Sequence, residues 1–434
     1  MMDNVIVFWF RRDLRVEDNH GLYKALSGTQ KVIPIFIYDT TILNKLEKTD
    51  ARLDYVEIAL GRLDIAMQRN RCTVGRYHGS PEAIFKKLIA DWPIEKVICN
   101  ADYEPNARAR DQKIEALLTS NGIAFEQYKD QVLFEKSEVV KDDGTPYKVF
   151  TPYSRKWKAL LGTHPLTHYP SETHLNQLCT VSLPKVELSE IGFSKSTLLQ
   201  PQVILNDEVI DLYEATRNFP ALDKTSRIGT ALRFGTVSVR KLVKSAASRP
   251  NHTFLNELIW REFFMQILWH FPHTTEKSFK PQYDRIQWRN NPDEFEAWCQ
   301  GKTGYPLVDA GMRQLNTTGF MHNRIRMLVG SFLCKHLLID WRWGEAYFAL
   351  KLFDFELSSN VGNWQWVAGC GVDAAPYFRI FNPSEQIKKF DKNHVYIQKW
   401  VPEYQELTYP KPIVEHKFAR NRCLQVYKEA VVAV

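Results

Sequence analysis

The chain has 434 residues, 44% hydrophobic and 25% charged, a balance that excludes a mostly disordered polymer. Its apolar runs, such as residues 32–38, fall far short of the ~20 residues that span a bilayer, and its start lacks the basic stretch and small-residue cleavage site of a secretory signal. Seven scattered Cys without a C-x-x-C pair argue against a disulfide framework or structural zinc and for a reducing cytoplasm, while a net charge of +7 gives a nucleic-acid partner only modest support.

Residues 5–10, 32–38, 72–77 and 96–99 predict short buried strands. Residues 53–68, 81–90 and 107–118 predict amphipathic helices at 3.6-residue spacing. Ser80-Pro81-Glu82 reads as a helix start, with Ser80 as the cap. Continuous apolar strands alternating with helices predict a parallel, Rossmann-like α/β domain covered on both faces. The Gly-rich phosphate fingerprint of such folds is missing after the first strand. Arg11-Arg12-Asp13-Leu14-Arg15 stands there instead.

From about residue 134 to 200 the periodicity fades. Lys141-Asp142-Asp143-Gly144-Thr145-Pro146 is turn chemistry, and the stretch reads as a long connector rather than as core. From residue 207 onward strand signals nearly vanish, and 256–270, 305–315, 323–338 and 345–357 predict helices. The expected plan is an α/β domain over 1–134, an interdomain connector over 135–200 and an all-α domain over 201–434.

Several motifs fail on inspection. Gly301-Lys302-Thr303 ends like a phosphate-binding loop, but Glu296 stands where that motif needs Gly. Gly369-Cys370-Gly371-Val372-Asp373-Ala374 follows a helix-like stretch and reads as a turn. No H-E-x-x-H and no Gly-x-Ser-x-Gly occur, so neither a metal site nor hydrolytic chemistry is expected.

Three constellations carry more. On a helix, Glu257, Trp260, Arg261 and Phe264 share one face; a core stripe would be apolar, so this is a salt-bridged surface or a polar pocket wall. Met321-His322-Asn323-Arg324-Ile325-Arg326-Met327 sets two Arg beside an amide, which suits phosphates or a carboxylate partner. Asn360 and Trp364 lie one helical turn apart, and Asp354 is placed to pair with Arg326 across two helices. The aromatic content, 12 Trp, 18 Tyr and 25 Phe, suits a site that stacks planar rings.

Together, Leu258-Ile-Trp-Arg-Glu-Phe, Gly301-Lys-Thr-Gly-Tyr-Pro-Leu-Val-Asp-Ala, Met321-His-Asn-Arg-Ile-Arg-Met, Asn363-Trp-Gln-Trp and Asp373-Ala-Ala-Pro-Tyr-Phe-Arg-Ile-Phe-Asn resemble the photolyase/cryptochrome family. The likeness is nearest to class I cyclobutane pyrimidine dimer photolyases. The opening Phe8-Trp-Phe-Arg-Arg-Asp-Leu-Arg and the ending Ile413-Val-Glu-His-Lys-Phe-Ala-Arg fit as well, so the resemblance runs along nearly the whole chain.

The resemblance implies an FAD in the helical domain. Tyr213, Thr225, Ser226, Arg227, Ile228 and Gly229 would hold its phosphates and ribityl chain, with Arg261 helping. Asn323 and Glu356 also fall at cofactor positions, although Glu356 departs from the Asp common in that loop. Arg326 and Asp354 would pair against the isoalloxazine, and Asn360 would lie at flavin N5. Trp364, Trp341 and Trp288 match the family's electron-transfer triad. Trp260 and Trp366 would stack on a flipped-out lesion, with Glu257, Asn323 and Met327 against the dimer. Arg217, Arg324 and Arg379 would bind flanking phosphates. The catalytic set is thus Asn360, Glu257 and Met327.

The implied activity is light-driven repair of cyclobutane pyrimidine dimers by a deoxyribodipyrimidine photo-lyase, acting as a monomer on damaged DNA, without an obligate protein partner or a membrane. The alternative is a cryptochrome-type blue-light photoreceptor signalling through a partner. The resemblance leaves open a second, antenna chromophore in the N-terminal domain: deazaflavin, folate, another flavin or none. Asn106-Ala107 departs from the family's folate pattern.

Overall fold

The computed structural model describes residues 4–432. Contacts divide the chain into two units that interleave in sequence. One takes Met1–Val140, Lys156–Gln200 and Ile228–Ser248; the other takes Lys141–Arg155, Pro201–Arg227 and Arg249–Val434.

The first unit is built on a five-stranded sheet of order β3-β2-β1-β4-β5. Its strands are β1 (Val5–Phe10), β2 (Lys31–Asp39), β3 (Gly75–Gly79), β4 (Ile94–Asn100) and β5 (Ala124–Tyr128), and every pairing is parallel. All six residues of β1 are buried. Ile6, Phe8 and Phe10 pack with Leu22 and Leu60 on one face. Val5, Val7 and Trp9 pack with Phe85, Leu88 and Ile114 on the other. Burial of each such side chain contributes about 1.5–3 kcal/mol, which fixes the register, since a one-residue slip would exchange the two faces.

The four expected strands are present, with bounds shifted by a few residues. The fifth was not expected: Ala-Phe-Glu-Gln-Tyr is a half-exposed edge strand, without the apolar run that marks the others. The connector is also more ordered than its sequence suggests. It contains a 14-residue helix, Phe150–Thr163, whose Tyr153 and Trp157 are each 1% exposed.

The strand order reverses between β1 and β4, the point where open α/β sheets bind nucleotides at their carboxyl ends. Here the chain's own charges meet one another. Arg11 donates to Asp111 at 2.6 Å and to the Asn100 carbonyl, and the Asn100 amide donates to Asp13 at 2.6 Å. Arg12 and Arg233 both reach Glu104 at 2.8 Å. Arg15 donates to both oxygens of Asp130 at 2.8 Å, and Arg240 joins them at 2.9 Å. The Arg-rich segment that replaces the glycine fingerprint is therefore ion-paired within the chain.

The second unit is helical. Its principal helices are Thr253–His270, Pro306–Thr318, Asn323–Ser331, Trp341–Lys351, Leu357–Ala368 and His416–Val432. The expected helix over 323–338 is an α-helix that ends in a π turn, Phe332–His336. The helix expected over 345–357 breaks instead. Glu356 takes extended geometry and accepts from the Ser359 N–H at 3.2 Å, so it caps the next helix. Gly369 ends that helix at φ +90°, which is why the following Gly-rich stretch is a turn.

Two glycines allow the close packing around the candidate site. A Cβ on Gly344 would lie 2.1 Å from the Trp364 ring, and one on Gly362 would lie 2.3 Å from the Phe264 ring.

Candidate functional site

Glu257, Trp260 and Arg261 lie on the Thr253–His270 helix and are half-buried. Glu257 accepts a hydrogen bond from Arg217. Burial pushes the Glu257 carboxyl above its ordinary range, with Arg217 pulling the other way. The Trp260 indole lies flat on Phe150, with ring centroids 3.7 Å apart and planes 4° apart.

Asn323, Arg324, Arg326 and Met327 follow one another on the Asn323–Ser331 helix. His322 caps it, accepting from the Arg324 N–H at 3.2 Å. Arg324 donates to Asn218 and covers the Phe390 ring at 4.3 Å. Burial lowers the Arg324 pKa, and the fields of Arg217 and Arg379 act in the same direction. The charges of Arg217 and Arg379 thus reach Arg324, with Arg217 itself paired to Glu257. Arg379 is exposed, and its carbonyl accepts from the buried Lys335 Nζ at 2.8 Å.

The anticipated Arg326–Asp354 pair is present, but it joins a helix to a turn, because Asp354 lies in the break between Trp341–Lys351 and Leu357–Ala368. Arg326 donates to Asp354 through both terminal nitrogens, at 3.1 and 2.9 Å, and its Nε donates to the Met321 carbonyl at 2.8 Å. Such a fork–fork pair fixes both side chains. Asn360 is buried on the Leu357–Ala368 helix. Its Nδ2 donates to Glu345 Oε1 at 2.8 Å and to the Glu345 carbonyl at 3.1 Å. Both bonds use Nδ2, and Oδ1 is the amide's acceptor.

Trp364 and Trp341 are 3% and 1% exposed, and Trp288 is half-buried, its ring edge-on to Tyr427 at 6.0 Å. Of the three, Trp288 is the most exposed. Trp366 is half-buried on the Trp364 helix.

Tyr213 sits edge-on to Phe254, with Arg217 over its ring. Thr225, Ser226 and Arg227 follow in the same unit, while Ile228 and Gly229 open the segment assigned to the first unit. Arg227 has φ +51° and donates to both oxygens of Asp223 at 2.6 Å. The Thr225 hydroxyl and Arg227 Nε are buried without a hydrogen-bond partner. Buried polar atoms without partners are costly, and phosphate or hydroxyl oxygens of a dinucleotide would satisfy both, so these residues fit an FAD. Glu356 uses Oε2 for its own helix, accepting from the Ser358 and Ser359 hydroxyls at 2.6 and 2.9 Å.

Sequence reasoning did not find Phe150, Asn218, Lys335 or Glu345. Phe150 and Asn218 lie far in sequence from the residues they touch. Lys335 left a faint signal, a lone cation within the apolar Phe332-Leu333-Cys334 run. Among the described residues, no cluster of His, Cys, Asp and Glu could hold a metal ion, and no helix is long and apolar enough to cross a membrane.

A helical unit with paired Arg326 and Asp354, an Asn360 bonded to Glu345 and buried partnerless atoms on Thr225 and Arg227 fits a flavoprotein of the photolyase type. Residues 254–408 match the FAD binding domain of DNA photolyase, and residues 6–171 match the DNA photolyase family. The deoxyribodipyrimidine photo-lyase of Escherichia coli is 36% identical, over 97% of this chain and 98% of that protein. Among solved structures, a bacterial class III photolyase from Agrobacterium tumefaciens superposes with a TM-score of 0.88 at 32% identity, covering 99% of this chain and 98% of its own. An archaeal photolyase from Sulfolobus tokodaii, solved with two FAD molecules, gives 0.83 at 32% identity, covering 98% and 99%. The chain belongs to the photolyase/cryptochrome family, and its helical unit carries the family's FAD-binding domain.

Proposed function

We propose that this chain repairs cyclobutane pyrimidine dimers in DNA under blue or near-UV light, as a monomer in the cytoplasm. The observation that carries the reading is the half-buried Trp260 plane. It shares a helix face with Glu257, which Arg217 ties to the cluster of Arg324 and Arg379. An aromatic face beside a hydrogen-bonding carboxyl and a group of guanidiniums suits an extrahelical base with flanking phosphates.

In this reading FAD, when bound and reduced, supplies the light-driven electron that splits the dimer. Thr225, Ser226, Arg227, Ile228, Gly229, Tyr213, Arg261 and Asn323 hold the cofactor, and the locked Arg326–Asp354 pair sets a fixed charge beside its ring system. Glu356 serves the same loop by capping the Leu357–Ala368 helix. Glu345 orients Asn360 so that Oδ1 accepts a ring N–H. Trp364, Trp341 and Trp288 relay electrons from the surface during photoreduction. Trp260 and Trp366 stack on the lesion, Met327 gives it an apolar contact, and Asn323 adds a hydrogen bond. Glu257 supplies a polar contact to the pyrimidine edge alongside Asn323. The nearest class is class I, on the motifs that carry the family likeness. A second chromophore, a deazaflavin or another flavin, would occupy the N-terminal domain.

The test uses protein with FAD bound and reduced anaerobically, mixed with oligonucleotides carrying one cyclobutane thymine dimer or one (6-4) product. Intact thymines are counted after blue light and after darkness. Light-dependent repair of the cyclobutane dimer alone is expected. Absence of repair would turn the reading towards a photoreceptor that signals through a partner.

A further inference from the structure

We infer that Phe150 is a positioning residue that backs the Trp260 indole and presents its plane to the damaged base. This deepens the lesion-stacking reading of Trp260 and rests on it.

Phe150 comes from the stretch whose sequence reads as connector, yet residues 141–155 fold with the helical unit. Its ring lies on Trp260 with centroids 3.7 Å and planes 4° apart. Phe263 closes the pair edge-on, 6.0 Å from Phe150 and 5.6 Å from Trp260. One turn further along, Tyr153 packs on Phe263 at 5.0 Å. The Phe150 N–H donates to Asp373 Oδ2 at 3.1 Å, which ties down the first turn of its helix. Phe150 is thus held by its backbone and by two rings, the arrangement of a wall rather than of a movable plug.

The consequence is energetic. An indole free to turn must lose that freedom when a base stacks on it, and the loss weakens binding. A ring fixed flat against its back removes this cost before the lesion arrives. One immobilised side chain corresponds to about 2- to 10-fold in affinity. The effect concerns the flipped base alone, because contacts to flanking phosphates do not use the indole.

The experiment measures dissociation constants in the dark for a duplex with one cyclobutane thymine dimer and for the same undamaged duplex. Phe150→Leu, Phe150→Tyr and Trp260→Leu are compared with the parent, all with FAD content verified. Phe150→Leu should lower damaged-over-undamaged discrimination by about 2- to 10-fold, with undamaged binding and FAD content unchanged. Phe150→Tyr keeps the flat ring and should restore discrimination. If Phe150→Leu does not fold, Phe150→Met, close in volume but unable to stack flat, carries the same expectation.

Unchanged discrimination in Phe150→Leu, with Trp260→Leu impaired, overturns the inference and leaves the reading of Trp260 standing. Tighter lesion binding in Phe150→Leu also overturns it, because it would make Phe150 an occupant of the lesion's place. Unchanged discrimination in Trp260→Leu sinks the stacking reading itself.

Discussion

The carboxyl end of the sheet and the helical site are both crowded with arginines and polar groups, but they use them differently. After β1, Arg11, Arg12 and Arg15 find Asp111, Glu104 and Asp130, so these cations pair within the chain. In the helical unit, the Thr225 hydroxyl, Arg227 Nε and Arg324 Nε are buried without partners, and three arginines share one field. Polar clusters that satisfy themselves hold a fold together. Buried donors and acceptors without partners bear an uncompensated desolvation cost, which a ligand's polar atoms can relieve.

The largest expected effect lies in the first unit. Asp130→Ala strands the guanidiniums of Arg15 and Arg240, and breaking a buried pair this way costs about 3–5 kcal/mol. Urea unfolding should show that loss. The same group gives a pH signature. Burial opposes its ionisation, but Arg15 and Arg240 hold Asp130 below the usual carboxylate range. Its contribution is therefore present above about pH 4 and lost as pH falls through the depressed value. Parent protein should lose stability below about pH 4, and Asp130→Asn should flatten that dependence.

Gly344→Ala comes next. A Cβ there would meet the Trp364 ring, and overpacking of this kind costs about 1–3 kcal/mol. The displaced indole should also slow photoreduction of oxidised FAD, which flash illumination measures. Trp288→Phe should slow photoreduction without a stability loss and spare repair by pre-reduced protein; loss of that repair would contradict the relay assignment. The smallest effect belongs to Arg379→Gln. It should weaken DNA binding across sequences and reduce the slope of log affinity against log salt by about one.

The sequence made some regions plain and hid others for physical reasons. β1 is apolar at every position because both faces are covered, so its run announces a buried parallel strand. β5 carries Glu and Gln on an edge and announces nothing. The Arg326–Asp354 pair was legible because Arg326 lies in a motif that resembles the family's and Asp354 is a carboxylate on a neighbouring segment, placed to meet it. Glu345 was not, since its value lies in reaching Asn360 from a neighbouring helix. Phe150 was hidden by its surroundings, a turn-rich stretch that predicts connector while its ring packs against the site. The break at residues 352–356 was missed because Leu, Phe and Phe keep helical spacing there, while the cap by Glu356 shows only in three dimensions.

The contrast between the two regions is tested most directly by FAD affinity. Dissociation constants would be measured for Thr225→Val and Asp130→Asn at a temperature where both remain folded. Thr225→Val should weaken FAD binding by about 1 kcal/mol, roughly fivefold, by removing one hydrogen bond to the cofactor. Asp130→Asn should leave FAD affinity at the parent value while lowering the unfolding midpoint. The opposite pattern, with FAD affinity lost in Asp130→Asn and kept in Thr225→Val, would contradict the account.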